Sequence, residues 1–165
     1  MADINTALAE SRTAVEQMLA AAERTGARWA APPAPGKWSP SQIVEHVARV
    51  YEESAHAAGG QPTKFPAFPA IVRPLVRKVF FDRTLRNGTF PKGKTNRALN
   101  PESGSTTPAE ARARLEQAHA AFEQACRNCP NGRFSHGIFG TVSAADYATF
   151  QAMHTLHHTK QIAHS

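Results

Sequence analysis

Only two cysteines, Cys126 and Cys129, occur in the 165 residues, too few and too close together for a disulfide framework. No apolar run approaches the length of a transmembrane helix, and the Met1-Ala2-Asp3-Ile4 start has neither a cationic nor an apolar leader region. These absences argue for a cytoplasmic chain with no membrane partner. Apolar residues at 41% and charged residues at 19% exclude the disordered and fibrous classes. No period-two alternation bounded by hairpin turns stands out, so no strands are expected. The length suits a single domain, 1–165, able to bury a core.

Helix punctuation, by contrast, is plentiful. A first helix is expected over about Asp3 to Arg24, with Ile4, Leu8, Val15, Met18 and Ala22 on one stripe. After a Pro/Gly-rich link, Ser39, Pro40 and Gln42 form a capping box, with Trp38 and Ile43 placed as a hydrophobic staple. That second helix should stop at Gly59-Gly60. Thr107-Pro108-Ala109-Glu110 opens a third, whose apolar positions Ala111, Leu115, Ala118, Phe122, Ala125 and Cys129 form a bundle seam. Ser143-Ala144-Ala145-Asp146 opens a fourth that runs through Tyr147, Phe150, His154, His158 and Ile162. The expectation is an all-α four-helix bundle with a long 60–106 crossover between helices two and three. About Ala70 to Leu85, with Ile71, Leu75, Val79 and Phe80, should add a short helix there.

Eight histidines are present, four of them in the last twelve residues. His154 and His158 lie four apart, so both point to one helical face. That spacing lets two imidazoles share a metal, as in HExxH sites, although the glutamate of that motif is missing. They continue the inward stripe of Tyr147 and Phe150, and His46 projects inward between Ile43 and Val47. Three unpaired imidazoles in a core would each cost about 1–3 kcal/mol, and one divalent ion satisfies all of them. Three protein ligands leave a coordination position for water or substrate. Protons should then compete with metal near a pH of about 6.5. The alternative is histidines bonded to backbone or to Glu45, Glu52 or Tyr51. His157 and His164 are expected on the solvent side, His56 and His119 show no partnering pattern, and His136 lies in a loop.

The stretch Gly36-Lys37-Trp38-Ser39-Pro40-Ser41-Gln42-Ile43-Val44-Glu45-His46-Val47 resembles the second helix start of the DinB/YfiT-like superfamily. His154-Thr155-Leu156-His157-His158-Thr159-Lys160-Gln161-Ile162 resembles its HxxxHxxQI ending. Residues 135–143 further resemble an HPxFG element of an uncharacterised DinB-like subfamily, with Gly137 in place of the proline. The resemblance covers roughly 36–162. It implies a four-helix bundle with a long crossover between helices two and three. It also implies a divalent metal, zinc or nickel with iron as a third candidate, on residues matching His46, His154 and His158. Characterised relatives of that kind include thiol S-transferases, maleylpyruvate isomerases and assigned hydrolases. The resemblance therefore implies a small-molecule substrate, with a low-molecular-weight thiol as one candidate. It names no second catalytic group, though Gln161, one turn from His158, is a candidate pocket residue. A homodimer stays open, as does a non-catalytic metal- or ligand-binding module.

Cys126-Arg127-Asn128-Cys129 lacks the second pair of a four-cysteine zinc site and closes a helix, where the dipole disfavours a thiolate. Packing is the expectation for both. Nine of the basic residues (Lys64, Arg73, Arg77, Lys78, Arg83, Arg86, Lys92, Lys94 and Arg97) lie in 60–100, against Asp82 alone. No nucleic-acid-binding motif accompanies them, so only weak, salt-sensitive, sequence-independent DNA contact is expected. A basic crossover near the metal site could equally attract an anionic substrate.

Overall fold

Residues 3–91 and 96–163 are described by the structure, a computed structural model. Its helices are α1 (Ile4–Glu23), α2 (Pro40–Ala58), α3 (Arg73–Val76), α4 (Arg83–Asn87), α5 (Pro108–Arg127) and α6 (Ala144–Ala163). A hairpin of β1 (Arg133–His136) and β2 (Gly140–Ser143) precedes α6. The long helices begin where a side chain can serve the free first-turn amides. The Asp3 carboxylate accepts the Thr6 N–H at 3.0 Å. The expected capping boxes form at Ser39/Gln42 and Thr107/Glu110. At α6, Ser143 Oγ accepts the Asp146 N–H at 3.0 Å.

α1 packs chiefly along α6 and α2 along α5, with lighter contacts from α1 to α5 and from α2 to α6. Leu8, Met18 and Leu19 of α1, Val44, Val47 and Tyr51 of α2, and Leu115 and Phe122 of α5 fill the space between. Tyr147 and Ile162 supply the α6 side. No described helix is long and apolar enough to cross a membrane.

The crossover carries the expected helix, with one departure from regular backbone. It is helical from 73 to 87, but a six-residue π turn, Arg77–Asp82, joins α3 to α4. Ile71, Leu75 and Val79 are 88%, 65% and 56% exposed. The wider turn instead carries Phe80 and Phe81 toward α6, with ring centroids 6.0 and 4.9 Å from Phe150. Phe81 is fully buried and also meets Phe139 at 5.1 Å. Gly88 ends this stretch in the left-handed region at φ 66°, which glycine adopts without a Cβ penalty.

The hairpin was not expected. β1 and β2 pair antiparallel with Phe134 opposite Val142 and His136 opposite Gly140. Its in–out alternation spans only four residues per strand, too short to register as a period. The crossover docks on it through the Phe68 N–H, which donates to the Gly137 carbonyl at 3.0 Å.

If Phe81 anchors the crossover, Phe81→Ala should lower the unfolding free energy by about 3–5 kcal/mol. Val79→Ala should change it by less than about 0.5 kcal/mol. Urea denaturation of both variants checks this; equal effects would mean that the π turn does not set the buried face.

Candidate metal centre

His46 sits midway along α2 and His154 and His158 on successive turns of the adjacent α6, so three imidazoles meet between two helices. They are 2%, 7% and 7% exposed. One ring nitrogen from each lies within 4.8 Å of the others, an arrangement that could hold a metal ion. His154 Nε2 and His158 Nε2 are 3.1 Å apart. The His46 ring centroid lies 5.4 Å from His154 and 4.8 Å from His158. The alternative partners are engaged elsewhere: Glu45 with Arg49 and Arg114, Glu52 with Arg114, and Tyr51 with Ser11 and Thr155.

Hydrogen-bond accounting sets which nitrogens face the centre. A backbone carbonyl only accepts, so His46 Nδ1 carries the hydrogen that it gives to Leu99 at 3.0 Å. Its Nε2 is left bare. His158 Nδ1–H donates to Gln161 Oε1 at 2.8 Å, while the Gln161 amide nitrogen faces His157 Nε2 at 3.2 Å. His158 Nε2 is therefore bare as well. Oxygen partners of this kind on the outer nitrogen are what orient imidazole ligands. Trp38, expected as a helix staple, has its ring centroid 4.9 Å from His46 and 6.3 Å from His158.

Burial holds all three imidazoles neutral. It lowers His46 from the ordinary histidine value, and it takes His154 well below, helped by repulsion from His158, His46 and His157. His158 is pushed down to about 3, by burial first and His46 second. Among the described residues His154 Nδ1 has no hydrogen-bond partner, an orphaned buried polar atom within the cluster. Neutral imidazoles with convergent lone pairs suit zinc, nickel or iron, and three of them leave a position free for a further ligand.

The triad opens on a cavity of about 1060 Å³. Its apolar wall includes Phe65, Phe80 and Phe90 from the crossover, Phe139 from the hairpin and Phe150 from α6. Lys37 and Lys160 line it, and no carboxylate does among the described residues. Gln161 also lines it, in keeping with its candidate role as a pocket residue. Tyr147 and His136 form another part of the lining, and His136, expected in a loop, ends β1. His136 is buried; its Nδ1 accepts the Ile138 N–H at 3.2 Å and its Nε2–H donates to Tyr147 Oη at 3.2 Å. Burial pushes it down to about 4. His157 is half-buried and faces the cavity, drawn in by Gln161 and the Phe90 ring. His119 is buried against Ser11 at 3.1 Å, His56 is exposed, and His164 lies outside the described residues.

The cysteines are buried and free, and Cys129 Sγ–H donates to the Ala58 carbonyl at 3.3 Å. Burial pushes the Cys126 thiol up, away from thiolate chemistry. Several crossover cations serve the fold. Arg73 donates to the Phe68 carbonyl, Arg77 to the Thr141 carbonyl and to Asp82, and Lys64 pairs with Glu53. Lys92 and Lys94 lie outside the described residues.

Compared with known proteins, the chain matches over residues 7–162 the family model described as the DinB superfamily. No curated protein and no solved structure matches it.

The depressed histidines make stability depend on pH. His136 and His158 hold folded values of about 4 and about 3, below the ordinary value of about 6.5, so the unfolded chain takes up protons first as pH falls. Their contribution is complete above about pH 6.5 and is lost below it, at about 1.4 kcal/mol per pH unit for each histidine. In chelator-treated protein, urea unfolding at pH 7, 6 and 5 should show falling stability. His136→Asn should remove one histidine's share of the slope.

Proposed function

The chain belongs to the DinB superfamily, and on that premise we propose that it is a cytoplasmic metal-dependent enzyme acting on a small molecule. In this reading the whole chain is one domain, and its four long helices form the superfamily's bundle with α3 and α4 in the long crossover. His46, His154 and His158 hold one divalent ion, zinc or nickel before iron. Such an ion, when bound, lowers the pKa of a thiol or water and presents it as a nucleophile, as S-transferase or hydrolase chemistry requires. The observation that carries the reading is the meeting of three buried ring nitrogens within 4.8 Å at the wall of a cavity of about 1060 Å³.

The chain's own residues supply the rest. Leu99 and Gln161 fix His46 and His158 with their bare nitrogens inward. Trp38 and Phe90 pack their rings against the imidazoles and lower the local dielectric, which strengthens electrostatic interactions at the site. Lys37 and Lys160, with no carboxylate among the described lining residues, favour a substrate bearing negative charge. A low-molecular-weight thiol with carboxylates meets that requirement. The open cavity beside the triad supports catalysis over a purely structural metal module.

Incubated with zinc and desalted, the wild-type chain should hold one ion per chain by mass spectrometry. His158→Ala should lose most of it while keeping its far-ultraviolet circular dichroism, and Cys126→Ser with Cys129→Ser should keep it. Because burial lowers His46, His154 and His158, proton competition should set in well below the pH of about 6.5 expected from free histidine. Titrating cobalt-substituted protein with a low-molecular-weight thiol should produce a thiolate-to-cobalt charge-transfer band; its absence would favour water as the nucleophile. A metal-free wild type would overturn the reading.

A further inference from the structure

The rings beside the triad form a continuous wall. Between centroids, Phe65 lies 4.9 Å from His136, His136 4.9 Å from Phe139, and Phe139 6.1 Å from Phe80. Phe80 then lies 5.4 Å from Phe90, and Phe90 4.9 Å from His154. Every step falls within the range of favourable ring–ring contact, about 4.5–7 Å. The wall runs from the hairpin to a candidate ligand without a break, and each of these residues lines the cavity. We propose that this cavity takes a substrate with a flat aromatic ring and an anionic group, the ring against the phenylalanines and the anion toward Lys37 and Lys160. The inference deepens the functional reading above by naming the class of substrate, and rests on it in taking this cavity as the substrate site.

A wall that served only to tie the crossover down would be buried. Phe81 meets that description: it is 0% exposed, stands outside the cavity lining and packs on Phe139, Tyr147 and Phe150. Its neighbour Phe80 stays half-buried and lines the cavity, as do Phe65, Phe90 and, beside His46, Trp38. Of the leucine, isoleucine and valine side chains in the lining, Ile43, Val50 and Leu99 are buried. Ile138 apart, the larger apolar side chains left partly uncovered in the lining are therefore aromatic. Such rings gain more from another ring than from an alkyl group of equal area, because their quadrupoles align edge to face or in offset stacks.

The charge of the ligand follows from the polar lining. Lys37 and Lys160 are exposed, and no aspartate or glutamate lines the cavity among the described residues, so negative charge is favoured there. The volume of about 1060 Å³ accommodates a drug-sized molecule, larger than a bare amino-acid thiol.

The test is calorimetric titration of chelator-treated protein with 2-naphthoate and with decahydro-2-naphthoate, which keeps the carboxylate and the bicyclic skeleton but has no aromatic ring. 2-Naphthoate should bind about 3- to 10-fold more tightly. Phe65→Leu, which keeps an apolar side chain at a half-buried position, should shrink that preference by about 2-fold or more. Lys37→Ala with Lys160→Ala should weaken 2-naphthoate about 2- to 5-fold at low salt and leave neutral 2-naphthamide unchanged. In wild type the naphthyl protons should show nuclear Overhauser contacts to the rings of Phe65, Phe80 or Phe90, a readout that needs no variant to fold. Equal affinities for the two carboxylates, a preference untouched by Phe65→Leu, contacts to another surface, or no binding at all would overturn the inference. A lysine variant that binds 2-naphthoate like wild type would overturn its anionic half. No step of the titration needs an ion, so a wild type that holds no zinc would overturn the metal reading alone.

Discussion

A polar atom taken out of water between packed helices must be given a partner, and the interior of this protein is arranged around that demand. Thr155 gives its hydroxyl hydrogen to the Gln151 carbonyl, so Tyr51 Oη donates to Thr155, Ser11 to Tyr51, and His119 Nε2–H to Ser11. This chain ties α5, α1, α2 and α6 together through hydrogens that can each point only one way. The run from His136 through Tyr147 to Ser54 and Val50 does the same for β1, α6 and α2. Each bond is worth only about 1 kcal/mol net, but leaving one member unpaired costs about 1–3 kcal/mol. Burial pushes the Tyr51 phenol up to about 12 and that of Tyr147 higher still, so both act as neutral hydroxyls.

Against this background the imidazole triad is the place where the accounting stays open, and it lies where two parts of the chain meet. The candidate ligands come from α2 and α6, which are long, capped and packed on both sides. Much of the cavity wall comes from the crossover and the hairpin, through Phe65, Phe80, Phe90 and Phe139. The Leu99 carbonyl joins the two directly at a candidate ligand, since it belongs to the crossover and holds His46 in place.

Local rules made the helices legible. Ser39 with Gln42 and Thr107 with Glu110 are three residues apart, and their hydrogen bonds form within the segment that displays them. The triad was legible for a related reason: the spacing of His154 and His158, and the stripe they continue, need only helical geometry. What stayed hidden depends on distant partners or on small departures from regular backbone. His119 meets Ser11, 108 positions away, and His136 meets a tyrosine across the end of a hairpin too short to show a period. The π turn at Arg77–Asp82, within the expected crossover helix, is likewise a departure that residue spacing does not announce. His157 read as outward because its side chain is drawn toward the cavity by Gln161, a contact that the helical wheel does not show.

The principal packing partner of α1 is α6, the last helix of the chain. While the polypeptide emerges from the ribosome, Leu8, Val15, Met18 and Leu19 must wait for residues 144–163 before their apolar face is covered. At ordinary translation speeds that interval is on the order of ten seconds, long compared with helix formation. During it the nascent chain presents a formed but unpaired amphipathic helix, the kind of surface that chaperones bind and that neighbouring nascent chains on a polysome can capture. His46 waits as well, because its companions lie on the same late helix. The three-imidazole cluster can thus assemble only after residues 144–163 have been made, and the pairing of α2 with α6 alone imposes the delay.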